Sequence, residues 1–382
     1  MNYLKYIGFY DLQDSLIQRN YVTSAANKMG YIVRAIAKGG QPVKIISSSS
    51  VVEEKFGFYR AETKEVCQDI LLKLPSSWGG QGKLIKKIRI AWNLIYLFIY
   101  LLLNTHKDEP IIVYHSLVYL RVILWAKKIR RFKLILETEE IYTDVSDYGE
   151  RMKKLEYSMF DIAEAYLFST ELLNDKLNKH KKPYCVNYGT YQVEPQITDK
   201  YSDNRIHVVY AGTFDPCKGG AAAAAAAAEF LPENYHIHIC GFGSEKDTKY
   251  IKNTIEKINQ KSKARVTFEG LFKGRDFICF IQKCHIGLST QNPNAAFNAT
   301  SFPSKILSYM ANGLSVVSID IKAIKGSAVG PYIHFYKNQT PEEIAKAILK
   351  CNIDNDNRKV IEKLDVQFIN DVKSLLNDVW NN

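Results

Sequence analysis

The feature that most constrains this chain is the repeated alternation of short apolar runs with longer helical segments. The apolar runs are rich in β-branched residues, as in Val316–Ile319. Such runs are typical of strands that are buried on both faces of a parallel sheet, and the segments between them have the length of crossover helices. The pattern therefore predicts an α/β fold built on doubly wound parallel sheets.

The alternation occurs twice, on either side of a polar stretch without periodicity, Glu194–Arg205, which indicates an interdomain linker. We expect one domain over residues 1–195, a second over 205–355, and a C-terminal helix within 366–382 that packs back on the first domain. A length of 382 residues suits two domains. The predicted strands are Tyr3–Tyr10, Val43–Ile46, Ile111–Tyr114, Leu134–Glu137, Tyr166–Ser169 and Tyr184–Asn187, then Ile206–Ala211, His236–Cys240, Val266–Glu269, Ile286–Ser289 and Val316–Ile319.

The segment from Ser301 to Ser318 joins a polar loop, a short helix and a strand. Its loop, Phe302-Pro303-Ser304-Lys305, opens a helix that ends at Gly313, and the β-branched strand follows. A hydroxyl and a lysine thus stand at a helix N-terminus, on the edge of a parallel sheet where ligands bind. The arrangement predicts a phosphate-binding site.

An ordered set of motifs in the second half resembles the nucleotide-sugar domain of GT-B glycosyltransferases, in particular glycosyltransferase family 4. The motifs are Ala-Gly-Thr-Phe at 211–214, Lys-Gly-Gly at 218–220, Gly-Phe-Gly at 241–243, Val-Thr-Phe-Glu-Gly at 266–270, Phe-Pro-Ser-Lys at 302–305 and Gly-Leu-Ser-Val-Val at 313–317. The resemblance implies the GT-B architecture, in which two Rossmann-like domains face a central cleft. It also implies transfer of a hexosyl or pentosyl group from a nucleotide-diphosphate sugar, such as a UDP-sugar, to an acceptor.

The resemblance further implies a donor site in the second domain, with a lysine at the position of Lys218 contacting the diphosphate. The chain departs from the family pattern in two places. Thr213 stands where the family usually has an arginine, whose charge Lys305 would replace, and Thr300 and Ser308 stand where it usually has two glutamates. The predicted donor-binding residues are Gly212, Thr213, Lys218, Gly241, Gly243, Thr300, Ser304, Lys305 and Ser308.

Polar side chains at strand ends in the first half supply the candidate catalytic and acceptor-binding residues. Glu139 and Glu140 follow the fourth predicted strand, and His115 ends the third. A carboxylate or imidazole at this edge has the chemistry of an acid–base or acceptor-orienting group. The same residues suit a salt-bridged loop and a structural histidine, so both alternatives stay open. Arg19 and Asn20, in the loop after the first strand, are the predicted acceptor-binding residues.

Several sequence features argue against cofactors and metal ions. The loop from Asp11 to Val22 has no Gly-x-Gly-x-x-Gly, which disfavours a dinucleotide enzyme. Asp354-Asn355-Asp356 lies in a polar stretch rather than at a strand end, and the seven cysteines form no Cys-x-x-Cys pair. We therefore expect no cofactor, no metal site and a reducing compartment. The alanine run Ala221–Ala228 predicts a helix, although an uncertain sequence would also explain it.

A basic and apolar region spans residues 83–133. It contains eleven basic residues and two acidic ones, in a chain of net charge +11. Its apolar run, Ile90–Leu103, is too short to cross a bilayer. The run is either a buried core helix or part of a peripheral contact with an anionic membrane. We expect a cytoplasmic glycosyltransferase, peripheral at the inner membrane face, that acts on a glycan or lipid-linked acceptor of cell-surface polysaccharide synthesis, with no nucleic acid partner. The alternative is a non-enzymatic protein that binds an anionic surface or nucleic acid through this region.

Overall fold

A computed structural model describes residues 3–12, 14–216 and 219–381 of the chain. The chain divides into two compact units, one of residues 1–190 with 366–382 and the other of residues 191–365. Each unit is built around one large, mainly parallel sheet. The doubly wound α/β fold predicted from the sequence is therefore confirmed in both halves.

The first unit holds ten strands and six helices in the part that the structure describes, besides the C-terminal helix. Its strands are β1 (Leu4–Gly8), β2 (Val43–Ser47), β3 (Phe58–Tyr59), β4 (Glu62–Cys67), β5 (Ile70–Leu74), β6 (Ser77–Trp78), β7 (Pro110–Tyr114), β8 (Lys133–Thr138), β9 (Ala165–Phe168) and β10 (Tyr184–Val186). Its helices are α1 (Thr23–Lys38), α2 (Lys83–Asn104), α3 (Leu120–Arg130), α4 (Tyr142–Val145), α5 (Glu150–Ile162) and α6 (Glu171–Leu177).

The main sheet of this unit has the order β10-β9-β8-β7-β1-β2-β5-β4, and all its pairs are parallel except β4–β5. Strands β3 and β6 form a separate antiparallel pair. The core is apolar and includes Ile7, Ile46, Val113 and Leu136 from four neighbouring strands. The carboxyl ends of β1, β7 and β8 therefore meet at one edge of the sheet, where polar residues follow.

The second unit has six strands and six helices in its described part. Its strands are β11 (Ile206–Thr213), β12 (Tyr235–Phe242), β13 (Arg265–Gly270), β14 (Ile286–Ser289), β15 (Ser315–Ile319) and β16 (Ile333–Tyr336). Its helices are α7 (Ala221–Ala226), α8 (Glu245–Asn259), α9 (Gly274–Gln282), α10 (Lys305–Ala311), α11 (Lys322–Lys325) and α12 (Pro341–Leu349). The sheet is entirely parallel, in the order β13-β12-β11-β14-β15-β16.

The structure differs from the sequence expectations at several boundaries. The stretch Glu194–Arg205 has no regular structure, but it belongs with the second unit, since the Glu194 amide donates to Ala311 O at 3.1 Å and the Tyr201 amide to Lys283 O at 3.2 Å. Helix α13 (Arg358–Asn381) begins eight residues before the predicted Val366, and its residues from Val366 belong to the first unit. The alanine run is helical as predicted, over α7 and a following 3₁₀ turn.

Candidate functional site

The amino group of Lys305 lies at the carboxyl edge of the second sheet without a carboxylate partner among the described residues. Its Nζ sits 4.4 Å from the centre of the Tyr210 ring, over the ring face. Burial lowers the pKa of Lys305 to about 8, because a charged amine loses its hydration in a protein interior. An ammonium that lies over an aromatic face, with no carboxylate partner in the described part of the chain, has the chemistry to bind an anion.

The ends of strands β11 and β12 approach each other closely next to Lys305, at two glycines. Gly212 and Gly241 are paired in register on β11 and β12. Gly241 has a φ of +145°, and a Cβ there would overlap the carbonyl oxygen of Gly212. A Cβ at Gly212 would lie 3.0 Å from Lys305 Nζ. Close approach therefore requires a glycine at position 241, and the two glycines together leave the strand ends without side chains beside the amino group.

The other predicted donor residues lie on the same strand ends, on α10 or in the loop before it. Thr213 ends β11, and its carbonyl oxygen accepts a hydrogen bond of 2.8 Å from the Tyr210 hydroxyl. Ser304 is exposed immediately before α10, while Ser308 lies one turn into that helix and is half-buried. Gly243 follows β12, and Thr300 precedes the helix in the loop. Lys218 lies outside the described residues, so the structure does not place it.

The carboxyl edge of the first sheet gathers a second polar group around Glu139. Its Oε1 is 3.3 Å from Lys28 Nζ, and its Oε2 accepts a hydrogen bond of 3.4 Å from the Tyr114 hydroxyl. Glu139 is half-buried, as is the adjacent Glu140. Glu139 is thus held by a lysine and a tyrosine while keeping access to solvent, which suits a carboxylate that binds hydroxyl groups.

Glu137, which the sequence reasoning did not single out, is the most perturbed carboxyl group of this edge. It is fully buried and accepts a hydrogen bond from the Tyr6 hydroxyl. Burial raises the pKa of Glu137 to about 7, with a further contribution from the charge of Glu139 and an opposing one from Lys28. The sequence could have indicated Glu137, because a carboxyl group directly after an apolar run stands at the end of a buried strand.

The structure gives the remaining first-unit candidates internal partners. His115 is 1% exposed, and its Nε2 lies 3.2 Å from Glu156 Oε1. The Arg19 guanidinium is buried and donates to Ser49 O at 2.9 Å, while Asn20 Oδ1 accepts from the Ser50 amide at 2.7 Å. These contacts tie loops together at the sheet edge. Catalysis by His115 and acceptor binding by Arg19 and Asn20 stay predictions.

Helix α2 presents an apolar stripe to solvent. Six of its seven exposed large apolar side chains recur at intervals of three or four residues, so they share one helix face; the six are Leu84, Ile88, Trp92, Ile95, Ile99 and Leu103, and Ile90 lies off this face. The opposite face is the buried one, and there the Asn93 amide donates to Ser48 O at 3.0 Å. The predicted run Ile90–Leu103 therefore lies in a helix that packs one face, with Leu97 and Leu101, into the core and exposes an apolar stripe on the other. No described helix of the chain is long and apolar enough to cross a membrane.

The comparisons with known proteins concern the second unit by sequence and the whole chain by fold. Residues 205–354 match the family model described as Glycosyl transferases group 1. No curated protein sequence matches the chain. The match includes every predicted donor-binding residue, from Gly212 to Ser308.

Solved structures share the fold of the whole chain at low sequence identity. One, described as trehalose-6-phosphate from E. coli bound with UDP-2-fluoro glucose, is 11% identical with a TM-score of 0.65, covering 100% of this chain and 99% of that one. A UDP-forming α,α-trehalose-phosphate synthase from Burkholderia xenovorans is 9% identical with a TM-score of 0.64, covering 99% of each chain. A glycosyltransferase from Rickettsia africae is 13% identical with a TM-score of 0.61, covering 100% of this chain and 97% of that one. The predicted GT-B fold class is thereby confirmed.

The raised pKa of Glu137 makes a prediction about stability. Because the folded pKa of about 7 exceeds its ordinary value, Glu137 contributes stability that is present at low pH and lost as the pH rises through 7. Glu137→Gln should therefore raise the free energy of unfolding at pH 8 by about 1–3 kcal/mol relative to the unmodified protein, and have little effect at pH 4.5. Denaturant unfolding at both pH values measures this difference.

The exposed Glu150 provides the matched control, and Glu150→Gln should leave the pH profile unchanged. If Glu137→Gln and the unmodified protein keep the same difference in stability at pH 4.5 and pH 8, the carboxyl group is ionised normally and the assignment is wrong.

Proposed function

We propose that this protein is a glycosyltransferase that moves a sugar from a nucleotide-diphosphate sugar to an acceptor hydroxyl. The observation that carries the proposal is the ammonium of Lys305, which has no carboxylate partner among the described residues and lies beside the strand ends at Gly212 and Gly241. This site lies within the residues that match the group 1 glycosyltransferase model. One structural neighbour is described as bound to UDP-2-fluoro glucose, which supports a UDP-sugar as the donor.

The proposed chemistry places the departing diphosphate against cationic side chains. As the glycosidic bond to the donor breaks, negative charge builds up on the leaving phosphate. Lys305 supplies a positive charge there, and Lys218 is proposed as a second. Because lysines meet this charge, the proposed transfer needs no metal ion at the donor site and no cofactor.

The first unit is proposed to bind the acceptor at the carboxyl edge of its sheet. Glu139 offers carboxylate oxygens to acceptor hydroxyls, with Lys28 and Tyr114 fixing its position. Glu140 and Arg19 remain candidates at the same edge. A glycan or lipid-linked acceptor, as in synthesis of cell-surface polysaccharide, fits the hydroxyl-binding chemistry.

The stripe on α2 is proposed to contact the surface of an anionic membrane at the cytoplasmic face. Lys83, Lys86 and Lys87 are exposed at the start of the same helix. On α3, Trp125 is exposed at 61% and Lys128 lies beside it, with its Nζ 6.0 Å from the ring centre. Apolar and aromatic side chains next to lysines match the two components of a bilayer interface, its acyl boundary and its anionic headgroups.

Lys305→Ala should weaken binding of the nucleotide diphosphate by about 1.5–3 kcal/mol, the range for hydrogen bonds to charged groups. Isothermal titration of UDP, or of the nucleotide sugar that binds best, measures the loss. Lys218→Ala should produce a similar loss if that lysine is the second cation. Unchanged affinity in both variants would remove the donor-site assignment.

The lowered pKa of Lys305 adds a control that reports on this amine alone. In the free protein it loses its proton above about pH 8, so diphosphate affinity should fall between pH 7.5 and pH 9.5. Lys305→Arg keeps its charge over this range and should show a flatter pH profile. The same pH dependence in both proteins would mean that another group titrates.

Transfer activity should persist after chelation, because lysines rather than a bound cation neutralise the donor phosphates. The measurement is release of the nucleoside diphosphate from the best donor, with and without EDTA, well below the unfolding temperature. Complete loss of turnover that Mg²⁺ or Mn²⁺ restores would contradict the proposed donor site.

Vesicle sedimentation tests the membrane contact. The protein should sediment with anionic vesicles, bind neutral ones less and dissociate as salt rises, because the attraction is electrostatic over a Debye length. Replacing Lys83, Lys86 and Lys87 together by serine should weaken binding by about 100-fold, since each basic residue near the surface contributes about 1 kcal/mol.

The control variant removes equal charge from the second unit, by replacing the exposed Lys246, Lys249 and Lys257 of α8 with serine. Lys127 and Arg130 are left intact because they hold the fold: Lys127 Nζ is 2.6 Å from Glu164 Oε1, and Arg130 Nε donates to Thr105 O at 2.8 Å. Equal losses in both triple variants, or equal binding to neutral and anionic vesicles, would contradict the proposed contact.

A further inference from the structure

Three buried histidines lie together on one face of the second sheet, away from the donor site. His207 is on β11, and His236 and His238 are on β12. His207 pairs with His236 in register, and alternate residues of a strand share a face, so the three rings project to the same side. One ring nitrogen from each lies within 4.8 Å of the other two.

The outer nitrogens of two of these rings face carboxylates. His207 Nε2 is 2.8 Å from Asp203 Oδ1, and His238 Nδ1 is 2.7 Å from Glu269 Oε1. A carboxylate accepts hydrogen bonds, so each of these ring nitrogens carries the proton. The other nitrogen of each neutral ring then presents a lone pair, and these two, His207 Nδ1 and His238 Nε2, are 2.8 Å apart.

The hydrogen bonds of His236 assign it a third lone pair in the same way. The hydroxyl of Thr267 donates its proton to Glu269 Oε1. Its oxygen therefore accepts from His236 Nε2, at 3.0 Å, and that nitrogen carries the ring's proton. His236 Nδ1 is then unprotonated, and it is buried without a hydrogen-bond partner among the residues that the structure describes.

The two lone pairs that face each other at hydrogen-bond distance need a positive centre between them, and the ring of His236 lies beside them, with its centre 4.0 Å from that of His238. We infer that His207, His236 and His238 form a binding site for one Zn²⁺ ion. Imidazole nitrogens are preferred ligands of zinc, and a ligating histidine typically donates its other ring N–H to a carboxylate or similar oxygen. Asp203, Glu269 and Thr267 fill that supporting role here.

Zinc binding would reposition the histidine rings. Zinc–nitrogen bonds of about 2.0–2.1 Å in tetrahedral geometry separate ligand nitrogens by about 3.3 Å. His207 Nδ1 and His238 Nε2, which are 2.8 Å apart with ring centres 5.1 Å apart, would therefore separate by about 0.5 Å, and both rings would rotate so that their lone pairs meet at the ion. Tyr201 stacks on His207 with ring centres 4.1 Å apart, and Phe280 meets His238 edge-on at 5.5 Å, so aromatic rings shield the site.

The ion would have no part in the proposed transfer, and a water would complete its tetrahedral coordination. His207 precedes Gly212 by five residues along β11, which is about 16 Å in an extended strand. A metal at the histidines therefore does not contact the donor phosphates. It would instead join β11 to β12 directly, and β13 through Glu269. The inference is independent of the proposed transferase activity.

The test is metal content and Zn²⁺ binding of the full chain, produced without a polyhistidine tag. Elemental analysis should find about one zinc per chain, and the chelator-treated protein should take up one equivalent of Zn²⁺ in a calorimetric titration. Added Zn²⁺ should also raise its unfolding temperature. An unmodified protein that contains no zinc and takes up none would overturn the inference, leaving a proton shared between His207 and His238.

Variants separate this site from adventitious binding. His238→Gln should lose the zinc, whereas His334→Gln, on β16 of the same unit, should keep it. Asp203→Asn changes a partly exposed supporting residue and should weaken Zn²⁺ affinity about 10- to 100-fold without loss of folding. Equal Zn²⁺ affinity in Asp203→Asn, His334→Gln and the unmodified protein would place the metal elsewhere and contradict the assignment, even if His238→Gln fails to fold.

Discussion

The interaction on which the functional account depends is the placement of a lysine ammonium over the Tyr210 ring, at the end of a parallel sheet. An amine that is largely removed from water without a carboxylate partner is destabilising, which is why its pKa is lowered to about 8. The close pairing of Gly212 with Gly241 keeps side chains away from it. A bound diphosphate would neutralise this charge. The free energy lost in burying the amine in the free protein would then favour binding of an anion.

The sequence correctly predicted the helices and strands that are marked by a short, continuous pattern of residues. The loop, helix, glycine and strand from Ser301 to Ser318 predicted α10 and β15, and the β-branched runs predicted the central strands of both sheets. It missed the edge strand β4, whose sequence Glu-Thr-Lys-Glu-Val-Cys alternates between half-buried and exposed residues and carries few apolar side chains. It also did not find β16, a four-residue edge strand whose two middle residues are only half-buried.

The site residues divide in the same way. Lys305 and the glycines follow from a motif, whereas the contacts of Lys305 with Tyr210 and of Glu139 with Lys28 depend on the tertiary fold. The histidines of β12 stand two apart in the chain, but the proton positions that make them a metal site depend on Asp203, Thr267 and Glu269. The orientation of α2 also depends on tertiary contacts, because its buried face includes Arg89 and Asn93 while its apolar stripe faces solvent.

The central claim is that the second unit recognises a nucleotide-diphosphate sugar, and thermal unfolding with a panel of nucleotide sugars tests it most directly. The account predicts that one nucleotide class raises the unfolding temperature, that its diphosphate does so as well, and that the free sugar and the nucleoside do not. Failure of every nucleotide sugar and diphosphate in the panel to stabilise the protein, at pH 7 where Lys305 is charged, would contradict the account.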